Sequence, residues 1–201
     1  MNEPTSNPGP TSLMHQLMML IGLCIANWLA MMLIHELGHI LGALVTGGQV
    51  NQLIWHPLVL SRTDVLPNPS PLIVVWAGPL LGVILPIIIT ALTRWLYRPA
   101  CYIAVFFTGF CLLANGLYLG LGWIDQIGDA GTMQTHGTPI WIMICFGLLC
   151  IPSGLYLWHR VSQQVGLSRT KHARVQPTHA RLVLIIALVC LAVGLVVGNH
   201  G

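Results

Sequence analysis

Residues 13–48 read LMHQLMMLIGLCIANWLAMMLIHELGHILGALVTGG, an almost unbroken apolar run that ends in a glycine pair. A helix of about 20 apolar residues crosses the hydrocarbon core of a bilayer. This run is longer, so it spans the membrane and also tilts or projects from it. Gly47-Gly48 is a helix stop. Inside the run, between His35 and His39, lies Glu36; the only other glutamate in the chain is Glu3. A charged side chain at mid-membrane costs about 2.5–3.5 kcal/mol even on the lenient insertion scale. An ionised Glu36 at that depth therefore needs a cation or water beside it.

The rest of the chain agrees with a membrane setting. Hydrophobic residues make up 55% of it and charged residues 6%, against roughly 25% charged in soluble domains. Four further apolar segments predict membrane helices at about 71–93, 100–124, 139–158 and 181–198. The fold class is thus all-α: a multi-pass membrane protein of about five spanning helices in a lipid bilayer. Residues 1–12 are polar and proline-rich, which predicts a disordered tail. The apolar run after them is too long for a signal peptide and reads as a retained first helix. The net charge of +3 comes from few residues with no dense basic stripe, which argues against nucleic-acid binding. The six cysteines all fall in apolar segments without a CxxC, and read as small apolar fillers.

Residues 49–64, QVNQLIWHPLVLSRTD, are too short and too interrupted to span as a helix. They predict a short hairpin or a re-entrant loop against the helices, since unpaired backbone at membrane depth is tolerated only beside protein or water. With five spans, Arg94, Arg98, Arg160, Arg169, Lys171, Arg174 and Arg181 share a side with the N-terminus, and only Arg62 lies on the other. The positive-inside rule then puts the N-terminus in the cytoplasm. Glycine pairs four apart recur at Gly38/Gly42, Gly78/Gly82, Gly116/Gly120 and Gly194/Gly198. Such pairs let helix backbones approach closely in lipid, and predict tight packing of the first three helices.

His35 and His39 are four residues apart, so on a helix they occupy one face, one turn apart. Two imidazoles so placed can share one tetrahedral metal, and Glu36 can reach a metal-bound water without itself being a ligand. This H-E-x-x-H arrangement is the zinc hydrolase pattern. A catalytic zinc keeps three protein ligands and one open position. The candidates for the third are Asp64, Asp125, Asp129, His56 and His136. The third helix runs in the direction of the first, which brings Asp125 and Asp129 to the motif's side of the membrane. They are one turn apart if that helix continues, and spacing alone does not choose between them.

HELGH at 35–39, WAGPLLGVILP at 76–86 and LANGLYLGLGWIDQIGDAGTM at 113–133 resemble the site-2 protease family of intramembrane zinc metalloproteases. The resemblance covers roughly residues 20–135. It implies a three-helix metalloprotease core at about 13–135, followed by two accessory membrane helices within 136–201. It also implies one Zn²⁺ per chain and an aspartate from the third core helix as last ligand, commonly followed by Gly or Ala. GDA at 128–130 fits that better than IDQ at 124–126, so Asp129 is preferred over Asp125. Asn115, Gly78 and Pro79 are the positions that the resemblance places next to the site or its substrate. The family's usual NxxPxxxLDG is absent here.

The expected function is therefore intramembrane proteolysis. His35, His39 and Asp129 hold zinc, Glu36 is the catalytic base, and the substrate is a membrane-spanning or membrane-adjacent segment of another protein. The alternatives are a metal-binding or metal-transporting membrane protein, which requires further polar residues along one spanning path, and a non-proteolytic scaffold with the same fold.

Overall fold

A computed structural model of the chain describes residues 10–59, 61–167 and 175–198. Its order is α1 (Pro10–Thr46), β1 (Val50–Ile54), β2 (Arg62–Val65), α2 (Pro71–Leu96), a 3₁₀ turn (Arg98–Ala100), α3 (Cys101–Gly122), α4 (Gly128–Thr135), α5 (Ile140–Val161) and α6 (Pro177–Gly198). Five of the helices are long and apolar enough to cross a membrane, which makes the chain a multi-pass, mostly helical membrane protein. α1 begins at Pro10, so residues 10–12 are helical rather than tail. The remainder of the expected tail, and Arg169, Lys171 and Arg174 of the basic loop, lie outside the described residues.

α1 has 37 residues, about 55 Å at 1.5 Å per residue, well beyond the hydrocarbon thickness. It stops where its glycines allow. Gly47 takes φ +77°, and the amides of Gly48 and Gly47 bond back to the carbonyls of Ala43 and Leu44 at 2.8 and 3.4 Å. These two bonds form a Schellman cap, which satisfies carbonyls that the helix end would leave bare. The chain then enters an antiparallel hairpin, with Leu53 opposite Thr63 and Ile54 opposite Arg62. Of the two forms expected for 49–64, the hairpin is the one observed. Its tip is tied back to α1 by the Trp28 indole N–H, which donates to the Pro57 carbonyl at 3.1 Å.

The helices neighbour one another in the sequence α6, α1, α2, α3, α5. α1 meets α2 where Gly38 and Gly42 face Ala77, Gly78 and Val74. The glycines of α3 do something else. Gly109, Gly116 and Gly120 face Gly154, Cys150 and Gly147 of α5, so the closest backbone approach of α3 is to α5 and not to α1 or α2. At the end that holds the N-termini of α1, α3 and α6, the bundle closes on Met19, Leu23, Phe106, Val161, Val165 and Ala180. Trp158 stacks there on Phe106 with ring centroids 5.0 Å apart.

α3 ends at Gly122 and does not continue through the two candidate aspartates. A turn follows in which Gln126 and Gly128 take φ +54° and +60°, and a new short helix, α4, starts. This helix was not foreseen from the sequence. It is anchored by Ala130 and Met133, both fully buried against Val75, Leu119 and Met143.

Candidate metal centre

The C-terminal halves of α1 and α3, the N-terminal turns of α2, the hairpin and α4 surround a cavity of about 750 Å³. His35, Glu36 and His39 reach it from α1, Asn115 and Tyr118 from α3, and Asp129 from α4. Glu36 is 3% exposed. The ligand atoms of His35, Glu36 and His39 lie within 4.8 Å of one another. Asp129 Oδ2 lies closer still to the imidazoles, 2.8 Å from His35 Nε2 and 3.4 Å from His39 Nε2.

The hydrogen positions on the two rings follow from their partners. His39 Nδ1 is 2.8 Å from the Val74 carbonyl, which can only accept, so His39 Nδ1 carries the hydrogen. The Asn115 amide nitrogen donates to the Cys111 carbonyl at 2.9 Å, which turns Asn115 Oδ1 towards His35 Nδ1 at 3.0 Å. His35 Nδ1 therefore also donates. In the neutral ring each Nε2 then presents a lone pair. Two nitrogen lone pairs and a carboxylate oxygen thus face one another across a small gap. Such a cluster repels itself unless a cation, a proton or a metal ion, lies in it. Atoms each 2.0–2.1 Å from one tetrahedral zinc are about 3.3–3.4 Å apart, and the His39–Asp129 separation of 3.4 Å is of that size. The His35–Asp129 separation of 2.8 Å is that of a shared proton. The donor set and the His39–Asp129 spacing fit a three-ligand metal site whose histidines are oriented by hydrogen bonds from their far nitrogens, as metal-ligating histidines usually are; the His35–Asp129 contact would have to open by about 0.5 Å to reach the same spacing.

Burial works to raise the pKa of the Asp129 carboxyl, but hydrogen bonds and charge from His35 and His39, when a proton sits on Nε2, outweigh it and hold Asp129 well below the ordinary carboxylate range. It is anionic at neutral pH and adds to the negative potential that a cation in the cluster would offset. The Asp129 amide donates to the Tyr118 hydroxyl at 3.0 Å, which fixes the start of α4.

α2 contributes shape instead of ligands. A Cβ at Gly78 would run into the His39 imidazole, and one at Gly82 would come within 2.8 Å of the Asn115 amide nitrogen. The glycine pair of α2 leaves room for two polar side chains of the site. Pro79 is fully buried and does not line the cavity.

The structure therefore brings together His35, Glu36, His39, Asn115, Gly78 and Asp129. It does not bring Asp125, which is exposed on the turn after α3. Asp64 pairs with Arg62 at 3.0 Å, His56 accepts the Leu58 amide in the hairpin tip, and His136 is exposed at the end of α4. Two residues at the site were not found from the sequence. Tyr118 is one, and Thr63 the other, whose hydroxyl donates to Glu36 Oε2 at 2.6 Å. Tyr118 had a signal, since it lies one turn after Asn115 on the same face of α3; Thr63 had none, being 27 residues from its partner. No family model, curated protein or solved structure matches this chain.

Proposed function

We propose that the chain is an intramembrane zinc endopeptidase of the site-2 protease type. Its substrates are peptide bonds in or next to the membrane-spanning segments of other proteins. One observation carries the reading: His35 Nε2, His39 Nε2 and Asp129 Oδ2 converge beside a buried glutamate, with both Nδ1 hydrogens already tied to Asn115 and Val74. A zinc ion bound there supplies a water of lowered pKa and polarises the scissile carbonyl.

The chain's own residues do the remaining work. His35, His39 and Asp129 would hold the ion. Asn115 and the Val74 carbonyl keep the two imidazole planes in place. Glu36 takes the proton of the attacking water and delivers it to the departing amine. A helical substrate hides its peptide bonds, so the cleaved stretch has to be extended. Among the described residues β2 pairs with β1 on one edge alone and lines the cavity through Arg62, Thr63 and Val65, and an extended peptide can add to its other edge through main-chain hydrogen bonds.

Arg94, Arg98, Arg160 and Arg181 belong to the ends of α2, α5 and α6 and to the 3₁₀ turn that lie away from the cavity. By the positive-inside rule that end, with the N-terminus, is cytoplasmic, and the cavity opens towards the other face.

The test uses protein purified in detergent with a cleavable membrane substrate. Glu36→Gln should abolish cleavage, a loss of at least about 100-fold for a general base, yet keep one zinc per chain. Asp129→Ala should lose zinc and Asp125→Ala should keep it. Undiminished proteolysis by Glu36→Gln would sink the mechanism. Zinc flux into liposomes without proteolysis would favour transport instead.

A further inference from the structure

We propose that Thr63 is a positioning residue for the base: its hydroxyl on β2 holds the Glu36 carboxylate in place and makes that placement depend on the hairpin. The proposal rests on the peptidase reading of the site. Thr63 Oγ1 lies 2.6 Å from Glu36 Oε2, within the 2.5–2.7 Å usual for a hydroxyl donating to a carboxylate. Among the described residues Thr63 is the one hydrogen-bond partner of Glu36. A glutamate has three rotatable side-chain bonds, and with Oε2 held the other oxygen is left to serve a water in the cavity. Misplacing a reacting group by about 1 Å can cost about 100-fold in rate, so a tether of this kind is a sizeable contribution.

The strand explains how Thr63 comes to face the site. Side chains alternate along β2, and Arg62 and Asp64 pair with each other at 3.0 Å. Thr63, between them and opposite Leu53 of β1, projects to the other face, towards α1. Among the described residues, side-chain hydrogen bonds join the hairpin to α1 at its tip, through Trp28 and Pro57, and at the level of the base, through Thr63 and Glu36. A peptide added to the free edge of β2 would shift that strand's backbone, and Thr63 would carry the shift to the base.

Thr63→Val keeps the shape and removes the donor, and Thr63→Ser keeps the donor. In detergent with a cleavable membrane substrate, Thr63→Val should lower kcat about 10- to 100-fold with KM within about two-fold and zinc content unchanged. Thr63→Ser should restore most of kcat. Infrared difference spectra between each protein and its Glu36→Gln counterpart isolate the Glu36 carboxylate band. That band should shift in Thr63→Val and stay in place in Thr63→Ser. If Thr63→Val loses zinc by misfolding, the same ordering is required of Thr63→Ala against Thr63→Ser. Wild-type kcat in Thr63→Val, a loss confined to KM, or an unmoved carboxylate band overturns the role of Thr63 alone. A zinc-loaded wild type that cleaves no membrane substrate overturns the peptidase reading, and the positioning role with it.

Discussion

At one end of the bundle α1, α3, α5 and α6 close on Met19, Leu23, Phe106, Val161, Val165 and Ala180; at the other, α1, α2, α3, the hairpin and α4 surround a cavity of about 750 Å³ and turn histidine, glutamate, asparagine and aspartate into it. α1 and α3 run through both ends. In lipid there is little hydrophobic drive for helices to associate, so the first end is held by close van der Waals packing of small and apolar side chains. That close packing lets the second end stay open. Polar groups there are held by directional bonds to partners far apart in sequence, and those bonds fix the orientation of the side chains that face the cavity.

The comparison can be broken by putting bulk where the open end has none. Gly78→Ala puts a methyl group into the His39 imidazole. It should cost about 100-fold in zinc affinity, the upper range for loss of an orienting partner, measured by competition with a chromophoric chelator. A zinc affinity unchanged in Gly78→Ala would mean that α2 does not shape the site. A smaller effect comes from Asn115→Ala, which removes the acceptor of the His35 Nδ1 hydrogen. About 10-fold weaker zinc binding is expected, with the helical circular dichroism unaltered. The smallest effect sharpens the contrast from the other side. Trp158→Phe keeps the stack on Phe106 but loses the 3.0 Å bond from its indole N–H to the Phe106 carbonyl. It should lower stability by about 1 kcal/mol in a detergent unfolding assay and leave zinc affinity as it was. A zinc affinity that falls with Trp158→Phe would mean that the two ends are not separable.

What could be read from the sequence was what local pattern encodes. The five apolar helices follow from run length, and His35, Glu36 and His39 share a side of α1 because of the helical period alone. The hairpin was one of two readings, since a short interrupted run between helices does not say whether its halves pair. Asp129 and Asp125 could not be separated by spacing, because spacing was counted on a helix that in fact ends at Gly122. The turn at Gln126 and Gly128, and the burial of Ala130 and Met133 beneath α4, are what aim Asp129 at the histidines. Thr63 was invisible for the same kind of reason: a bond between a strand and a helix 27 positions away leaves no periodic trace. The glycines of α2 and α3 gave identical signals and do different work. Gly78 and Gly82 make room for side chains, while Gly116 and Gly120 let α5 approach.

The acid that faces His35 comes from 94 positions further along the chain. Chains emerge N-terminus first during synthesis, so α1 reaches the bilayer carrying its histidines and glutamate long before α4 exists. A growing or truncated chain that stops short of Asp129 holds the two histidines without the acid that faces them. On the peptidase reading proposed above, hydrolytic competence would appear only once α2, α3 and the turn behind it are in place, and the order of synthesis itself would keep an unfinished copy harmless to the membrane around it.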